Sequence, residues 1–306
     1  IKGNVTNSDG YKGHVDIRDT NYTTKESDDK KTTFGESNNK LSYILVSGEN
    51  SHLTINSEFY SDNVYLENST LTISTNDISL DNISIHNGDK EKKPGSTINI
   101  LTDYDKNTTF GHFQDNMEKN MAIEKLNIGA DSKLTIKNYA YVDNINLKET
   151  TSSLELAEGD SKVIGTISGK GTVLVTTDYK QEVTQFGKID NKIATLQIGN
   201  NDKTGNLTLT NSIGNTNNVY ADNLIISENS SLTIQKDAKV YGNIYGQGTV
   251  IIDTNYSEDK NDTTFGKDDN RLSNINIKSD GTLTLRNEAY IDNINLNSGA
   301  SLNISG

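Results

Sequence analysis

The chain has no cysteine and no tryptophan, and its 306 residues include one proline, Pro94. Without cysteine there is no disulfide, no thiol nucleophile and no cysteine-ligated zinc site. A chain that must cross a periplasm before folding gains from this absence, because premature disulfides would block export. Disordered linkers are usually richer in proline. These absences favour a folded chain whose chemistry, if any, rests on other side chains.

Basic residues and long apolar runs are also scarce. The chain has 29 lysines and arginines against 42 acidic residues, a net charge of −13, with no basic stripe. Nucleic-acid binding and electrostatic binding to anionic lipid are therefore not expected. The sequence has no run of about 18 apolar residues that would span a bilayer. The pattern is already under way at Ile1, so we interpret the chain as an excised fragment.

A Phe-Gly pair recurs four times in the sequence. The steps between copies are 110 − 34 = 76, 186 − 110 = 76 and 265 − 186 = 79 residues. Each copy follows an Asp and a Tyr and precedes a run of alternating apolar residues. The copies are Phe34-Gly35, Phe110-Gly111, Phe186-Gly187 and Phe265-Gly266. This order indicates four long repeats, at approximately 13–94, 95–170, 171–247 and 248–306.

A shorter period lies inside the long one. Ile275 recurs as Ile294 and Leu126 as Ile145, since 294 − 275 and 145 − 126 both equal 19. Triplets such as Leu-Thr-Leu at 283–285 place both apolar side chains on one face of a strand. One such unit cannot bury its apolar face alone, whereas stacked coils can. Four 19-residue coils would fill each 76-residue repeat.

The sequence therefore predicts an all-β fold, a right-handed parallel β-helix (β-solenoid). We expect one continuous solenoid over residues 1–306, with roughly 16 coils at the usual strand spacing. A β-propeller is the competing architecture. Its blades run about 40–50 residues, which fits a long repeat with a 19-residue sub-period badly.

Three recurring features receive structural interpretations. The asparagine of each Asp-Asn pair is expected to adopt the left-handed backbone of a tight corner or to bond to the same amide in the next coil. These pairs lie at 62–63, 81–82, 143–144, 222–223 and 292–293. The repeated phenylalanine is expected to fill or cover the coil interior, in preference to forming a ligand platform. The charged segments between Tyr and Phe-Gly differ in length and are predicted to be loops that carry function. These loops are 23–33, 105–109, 180–185 and 257–264, with further insertions at 87–94 and 211–218.

Catalytic and metal-binding signatures are sparse. The four histidines, His14, His52, His86 and His112, do not recur at equivalent positions or at metal-ligand spacing. Asp28-Asp29 and Asp268-Asp269 are adjacent acids, whereas a glycosidase needs two carboxylates facing across a groove. Residues 253–259 show the alternating oxygens of a calcium loop without its glycine and final glutamate. We predict no catalytic residues, no metal and no cofactor.

Segments such as SKLTIKNYAYVDNINL (132–147) and GTLTLRNEAYIDNINL (281–296) resemble the passenger domains of autotransporters, the type V secreted proteins. Filamentous-haemagglutinin-like exoproteins look similar. The resemblance covers nearly the whole chain and rests on periodicity and composition. It implies export through a bacterial outer membrane and display at the cell surface or release. Within this group it implies roles that run from adhesion and aggregation to toxins and proteases.

The leading functional prediction is a non-catalytic passenger rod acting in adhesion, aggregation or as a stalk. Its expected partners are molecules of a host or neighbouring cell surface, or a second copy of the chain. Nucleic-acid binding and direct membrane insertion of this segment are not expected. Two alternatives stay open, a polysaccharide-cleaving β-helix enzyme and a receptor-binding segment of a secreted toxin.

Overall fold

The computed structural model describes most of the chain. The described residues are 4–8, 12–24, 32–85, 95–112, 122–159, 161–181, 183–210, 218–236, 238–258 and 262–305. Most of the predicted loop 23–33, the insertion at 87–94 and the greater part of 211–218 lie outside them, as do His86 and Asp28-Asp29.

The fold is all-β, as predicted. Every regular element within the described residues is a strand, and the strands stack in parallel as a β-solenoid of about 11 turns. The chain divides into two compact units, Ile1–Ser153 with Asp160–Gly165, and Leu154–Gly159 with Thr166–Gly306. Two strands, β13 and β14, contribute residues to both units.

The strands of the first unit are two to nine residues long. They are β1 His14–Arg18, β2 Asn21–Thr23, β3 Leu41–Ser47, β4 His52–Ile55, β5 Phe59–Glu67, β6 Thr70–Ile73, β7 Ile78–Ile85, β8 Thr97–Ile100, β9 Thr109–Phe110, β10 Ile123–Ile128, β11 Lys133–Ile136 and β12 Tyr139–Leu147.

The strands β13 Ser153–Leu156 and β14 Lys162–Val175 follow. The second unit continues with β15 Asp178–Gln181, β16 Thr184–Phe186, β17 Ile193–Ile198, β18 Asn206–Thr210, β19 Val219–Ile226, β20 Ser231–Gln235, β21 Val240–Asp253, β22 Asn255–Ser257, β23 Thr263–Phe265, β24 Leu272–Ile277, β25 Thr282–Leu285, β26 Ile291–Leu296 and β27 Ser301–Ile304.

Columns of aliphatic side chains form the interior of the first unit. One column has one side chain from each of five paired strands, in register and fully buried. Its members are Leu53 of β4, Leu71 of β6, Ile98 of β8, Leu126 of β10 and Ile145 of β12. Burying one such side chain contributes about 1.5–3 kcal/mol. Strand alternation turns the residues between them outward, so each strand is apolar on one face and polar on the other.

The second unit repeats this construction with its own column. Leu207, Leu232, Val250, Ile275 and Ile294 are in register along β18, β20, β21, β24 and β26. The first four are fully buried. The same Leu-Thr-Ile alternation therefore specifies the interior of both units.

The coils are fewer and on average longer than predicted. A short coil matches the 19-residue period, since Lys125 pairs with Asn144. Longer coils also occur, because Thr70 pairs with Thr97 and Thr97 with Lys125, at steps of 97 − 70 = 27 and 125 − 97 = 28. The prediction of roughly 16 coils is therefore wrong, and about 11 turns are present. Chain in loops and turns lengthens a coil without adding a strand to the stack.

The Asp-Asn pairs form cross-coil bonds and not left-handed corners. Asn82 Nδ2 donates to Asn63 Oδ1 at 3.2 Å, as the ladder interpretation predicts. Asn223 Nδ2 donates instead to the backbone carbonyl of Ala194 at 3.4 Å. Some described asparagines, such as Asn68 and Asn229, do have a positive φ. No asparagine of an Asp-Asn pair is among the described residues with positive φ. The left-handed role predicted for these pairs is therefore wrong.

A longer amide ladder lies elsewhere on the first unit. Asn146 Nδ2 donates to Asn127 Oδ1 at 3.2 Å, and Asn127 Nδ2 donates to Asn99 Oδ1 at 2.9 Å. Asn99 Nδ2 reaches Thr72 Oγ1 at 3.2 Å. The ladder joins four successive coils through outward-facing side chains.

Candidate functional site at the Tyr–Phe corners

Each long repeat contains the same aromatic corner, here called a Tyr–Phe corner. It comprises a tyrosine, a threonine two residues before the phenylalanine, the phenylalanine and the following glycine. The four corners are Tyr22/Thr32/Phe34/Gly35, Tyr104/Thr108/Phe110/Gly111, Tyr179/Thr184/Phe186/Gly187 and Tyr256/Thr263/Phe265/Gly266. All four phenylalanines are at most 1% exposed, which confirms the predicted interior role.

The two rings of each corner meet edge to face. Their centroids lie 5.7, 6.3, 6.0 and 6.1 Å apart in the first to fourth corners, with interplanar angles of 68–88°. This geometry places the positive edge of one ring against the negative face of the other, and such pairs add about 0.5–1.5 kcal/mol beyond burial. The repetition shows that the four copies share one packing solution.

The threonine gives the buried phenol a partner. Tyr104 Oη and Thr108 Oγ1 lie 2.6 Å apart, and Thr108 donates in turn to the carbonyl of Leu80 at 2.6 Å. The same pair in the third corner, Tyr179 and Thr184, lies at 2.7 Å. Burial raises the pKa of Tyr104 well above its usual value, because the phenolate would lose its hydration.

In the fourth corner both hydroxyl groups share an acceptor. Thr263 Oγ1 donates to the carbonyl of Val240 at 2.6 Å, and Tyr256 Oη donates to it at 3.3 Å. Burial raises the pKa of Tyr256 in the same way as that of Tyr104. In the second and fourth corners the tyrosine is therefore neutral near neutral pH.

The glycine after each phenylalanine is required by the next coil. Gly35, Gly111, Gly187 and Gly266 have φ between 69° and 77°. A Cβ atom at these positions would lie 2.0–2.3 Å from a tyrosine carbonyl oxygen of the next coil. Only glycine combines this left-handed backbone with so close an approach.

One further buried position distinguishes the corners. Two residues after the tyrosine stand Thr24, Gln181 and Glu258 in the first, third and fourth corners, all at most 2% exposed. Thr24 Oγ1 accepts the amide of Asn56 at 2.7 Å, and Glu258 Oε2 accepts those of Arg286 and Asn287 at 2.5 and 2.8 Å. In these two corners the side chain bonds to backbone just beyond the neighbouring strand.

An exposed tight turn follows the glycine in three corners. Reciprocal backbone bonds of 2.9–3.2 Å close the turns Glu36–Asn39, Lys188–Asn191 and Lys267–Asn270. Their outward side chains differ: one turn carries glutamate and serine, another Ile189, 77% exposed, and the last Asp268 and Asp269. The equivalent stretch of the second repeat lies outside the described residues. A fixed backbone thus presents variable side chains.

Parts of the predicted loops are strand: residues 180–181 and 184–185 belong to β15 and β16, and residues 257 and 263–264 belong to β22 and β23, so the loop prediction is wrong there. The predicted loops also adjoin these buried groups. Residues 105–109 are described throughout and include buried Thr108, while Asp105 pairs with Lys137 at 3.0 Å. Residues 25–31 and 259–261 lie outside the described part of the chain. The variable segments therefore include or adjoin corner residues that are fully buried.

The other sequence candidates do not converge. His14 stacks on Tyr43 with centroids 4.5 Å apart, and His52 Nε2 lies 2.7 Å from Thr72 Oγ1 in another coil. Asp253 accepts a bond from Gln235 at 2.7 Å. Across the described ranges no group of three or more histidine or acidic side chains is arranged to hold a metal ion. That part of the chain also contains no helix long and apolar enough to cross a membrane.

The repeated Tyr and Phe-Gly indicate the corner in the sequence. Two other parts of the corner, the threonine and the buried position two residues after the tyrosine, were not predicted from the sequence. The threonine two residues before each phenylalanine recurs fourfold, yet it falls within the segments predicted to be loops. The buried position at 24, 181 and 258 leaves no such signal, because its residue type changes.

Fold and corners together define a β-solenoid repeat protein. No protein-family profile matches the chain, and no characterised protein or solved structure gives a significant match.

Proposed function

We propose that this chain is a non-catalytic repeat segment of a bacterial surface-exposed or secreted protein, acting in adhesion, aggregation or as a stalk. Its partners are molecules on a host or neighbouring cell, or a second copy of the chain. Export through an outer membrane follows from the resemblance to autotransporter and haemagglutinin-like passengers.

The observation that carries the proposal is the contrast between frame and surface at the Tyr–Phe corners. The buried frame recurs with the same rings, threonine and glycine, while the three described turns differ in charge and polarity. A repeated frame holding different exposed side chains is typical of interaction surfaces built on repeat proteins.

The test uses the full chain and changes only outward side chains. Residues 36–38, 188–190 and 267–269 are replaced by serine, which leaves each glycine and closing asparagine in place. Adhesion to cultured host cells and homotypic aggregation are then measured. We expect binding or aggregation to fall at least about tenfold if these turns supply some 1.4 kcal/mol of contact energy.

A matched control replaces the exposed residues 148–150 by serine, in a turn outside the corners. Equal loss in the control and the corner variant would refute the corner assignment. The variable segments need the same treatment, with replacement confined to 25–31 and 259–261, because Thr24, Thr32, Glu258 and Thr263 are buried. Release of reducing sugar ends from acidic polysaccharide would overturn the non-catalytic proposal and favour the enzyme alternative.

A further inference from the structure

Glu258 is an acid in a position that the first and third corners fill with neutral side chains. It follows β22 by one residue and is 2% exposed. Thr24 and Gln181 stand at the equivalent positions of the first and third corners, each 0% exposed. The amide of Thr24 donates to Thr54, and that of Glu258 donates to Thr284, so the backbone is placed in the same way.

The two oxygens of the Glu258 carboxyl have unequal surroundings. Oε2 accepts two backbone amides, from Arg286 at 2.5 Å and Asn287 at 2.8 Å. Oε1 is buried and has no hydrogen-bond partner within the described part of the chain. A carboxylate in this place must keep one charged oxygen away from water, which is costly, whereas a protonated carboxyl avoids that charge.

The described groups that face Glu258 do not neutralise it. On the strand just before it, β22, lies Tyr256, which is buried and uncharged near neutral pH because burial raises its pKa. From the chain just beyond the neighbouring strand β25 come the amides of Arg286 and Asn287, and the Arg286 side chain is itself exposed. From the corner come uncharged Thr263 and Asn287, joined through Asn287 Nδ2 to Thr263 O at 2.7 Å. No ion pair to Glu258 occurs among the described residues.

Gln181 shows how a neutral side chain fits the same place. Its Nε2 donates to the carbonyl of Thr184 at 2.8 Å, and Thr184 corresponds to Thr263 of the fourth corner. The fold therefore accommodates a neutral group at this position. Among the three corners with a buried side chain here, only the fourth has a titratable one.

We infer that Glu258 is a pH-sensitive latch: the fourth corner stays closed more firmly when this carboxyl is protonated, and opens to water more readily when it is ionised. Opening hydrates Oε1 and releases the amides of Arg286 and Asn287.

The direction of the pH dependence follows from linkage. Burial raises the pKa of Glu258 above its usual value, and the two amide bonds lower it by less. A carboxyl with a raised folded-state pKa binds more protons folded than open. Its contribution to stability is thus fully present below the open-state pKa and is lost as pH rises through the folded-state pKa. A folded-state pKa one pH unit above the open-state pKa changes the opening equilibrium about tenfold.

Hydrogen exchange of the full chain tests this latch. Protection of the amides of residues 286 and 287, corrected for intrinsic exchange rates, is measured between pH 4 and 7. We expect it to fall as pH rises in the unmodified chain and to stay level in Glu258→Gln. At pH 7 the variant should exchange these amides more slowly, by up to about tenfold if the two pKa values of Glu258 differ by one pH unit.

The reciprocal variant keeps the inference falsifiable if Glu258→Gln folds poorly. Gln181→Glu should make the third corner pH-dependent, because its new carboxylate would face the Thr184 carbonyl. The same fall in protection at 286 and 287 in both the unmodified chain and Glu258→Gln would overturn the latch. So would an unchanged third corner in Gln181→Glu. Neither readout depends on adhesion, so the latch and the proposed function can fail separately.

Discussion

Gly187 offers the sharpest test of the corner geometry. Its φ of 69° lies in the left-handed region, and a Cβ there would lie 2.0 Å from the carbonyl oxygen of Tyr220. This distance is more than an ångström shorter than an ordinary contact between a carbon and an oxygen atom. The Gly187→Ala variant must therefore adopt a strained backbone and also push β19 away from the corner.

The expected cost combines two effects. A left-handed backbone costs an L-residue about 1–2 kcal/mol, and forcing packed elements apart costs about 1–3 kcal/mol. We expect Gly187→Ala to lower the free energy of unfolding by about 2–5 kcal/mol, measured by urea denaturation. Hydrogen exchange should place the loss around Phe186 and Tyr220, since solenoids unfold locally as well as globally.

Gly159→Ala provides the matched control in the same unit. A Cβ at Gly159 would meet nothing closer than Thr177 Oγ1 at 4.0 Å, and φ lies outside the left-handed region. Its substitution should change stability by less than about 0.5 kcal/mol. Equal, small effects at Gly187 and Gly159 would show that the close approach of β19 to the corner does not constrain the fold.

Four further variants test two buried corner rings and the amide ladder. Phe186→Ala should cost about 3–5 kcal/mol in urea denaturation, because a fully buried ring leaves a cavity; a cost below about 1 kcal/mol would contradict the interior role. Tyr104→Phe should cost about 1 kcal/mol, since Thr108 loses one partner but keeps Leu80; an unchanged denaturation midpoint would argue against that hydrogen bond. Asn127→Ala removes two ladder bonds and Asn146→Ala one, so Asn127→Ala should be the more destabilising by about 1 kcal/mol; equal midpoints would show that the amide ladder adds little.

The interior of both units was predictable from the sequence. Triplets such as Leu-Thr-Leu at 283–285 place two side chains inward in any strand, and a 19-residue recurrence requires parallel stacking. Leu126 and Ile145 are indeed paired in register. Local alternation suffices here because a strand has a fixed period of two.

The coil count was not predictable from that period. Residues 86–94 interrupt the pattern between Thr70 and Thr97, yet the chain still closes one coil there. Sequence distance measures chain length, whereas a coil is defined by which strands pair. Loops of different length can close the same coil, because each doubling of loop length costs only about 0.6 kcal/mol.

The sequence by itself determined a repeated parallel solenoid, its aliphatic interior and the inward position of the four phenylalanines, because alternation and recurrence are local properties. Tertiary structure decided which small groups complete each corner. Thr108 reaches the Leu80 carbonyl, Gly187 lies beneath the Tyr220 carbonyl and Glu258 reaches Arg286 and Asn287 only after distant chain segments have stacked. Those contacts place an ionisable group in a buried corner, and burial is a property that no single coil possesses.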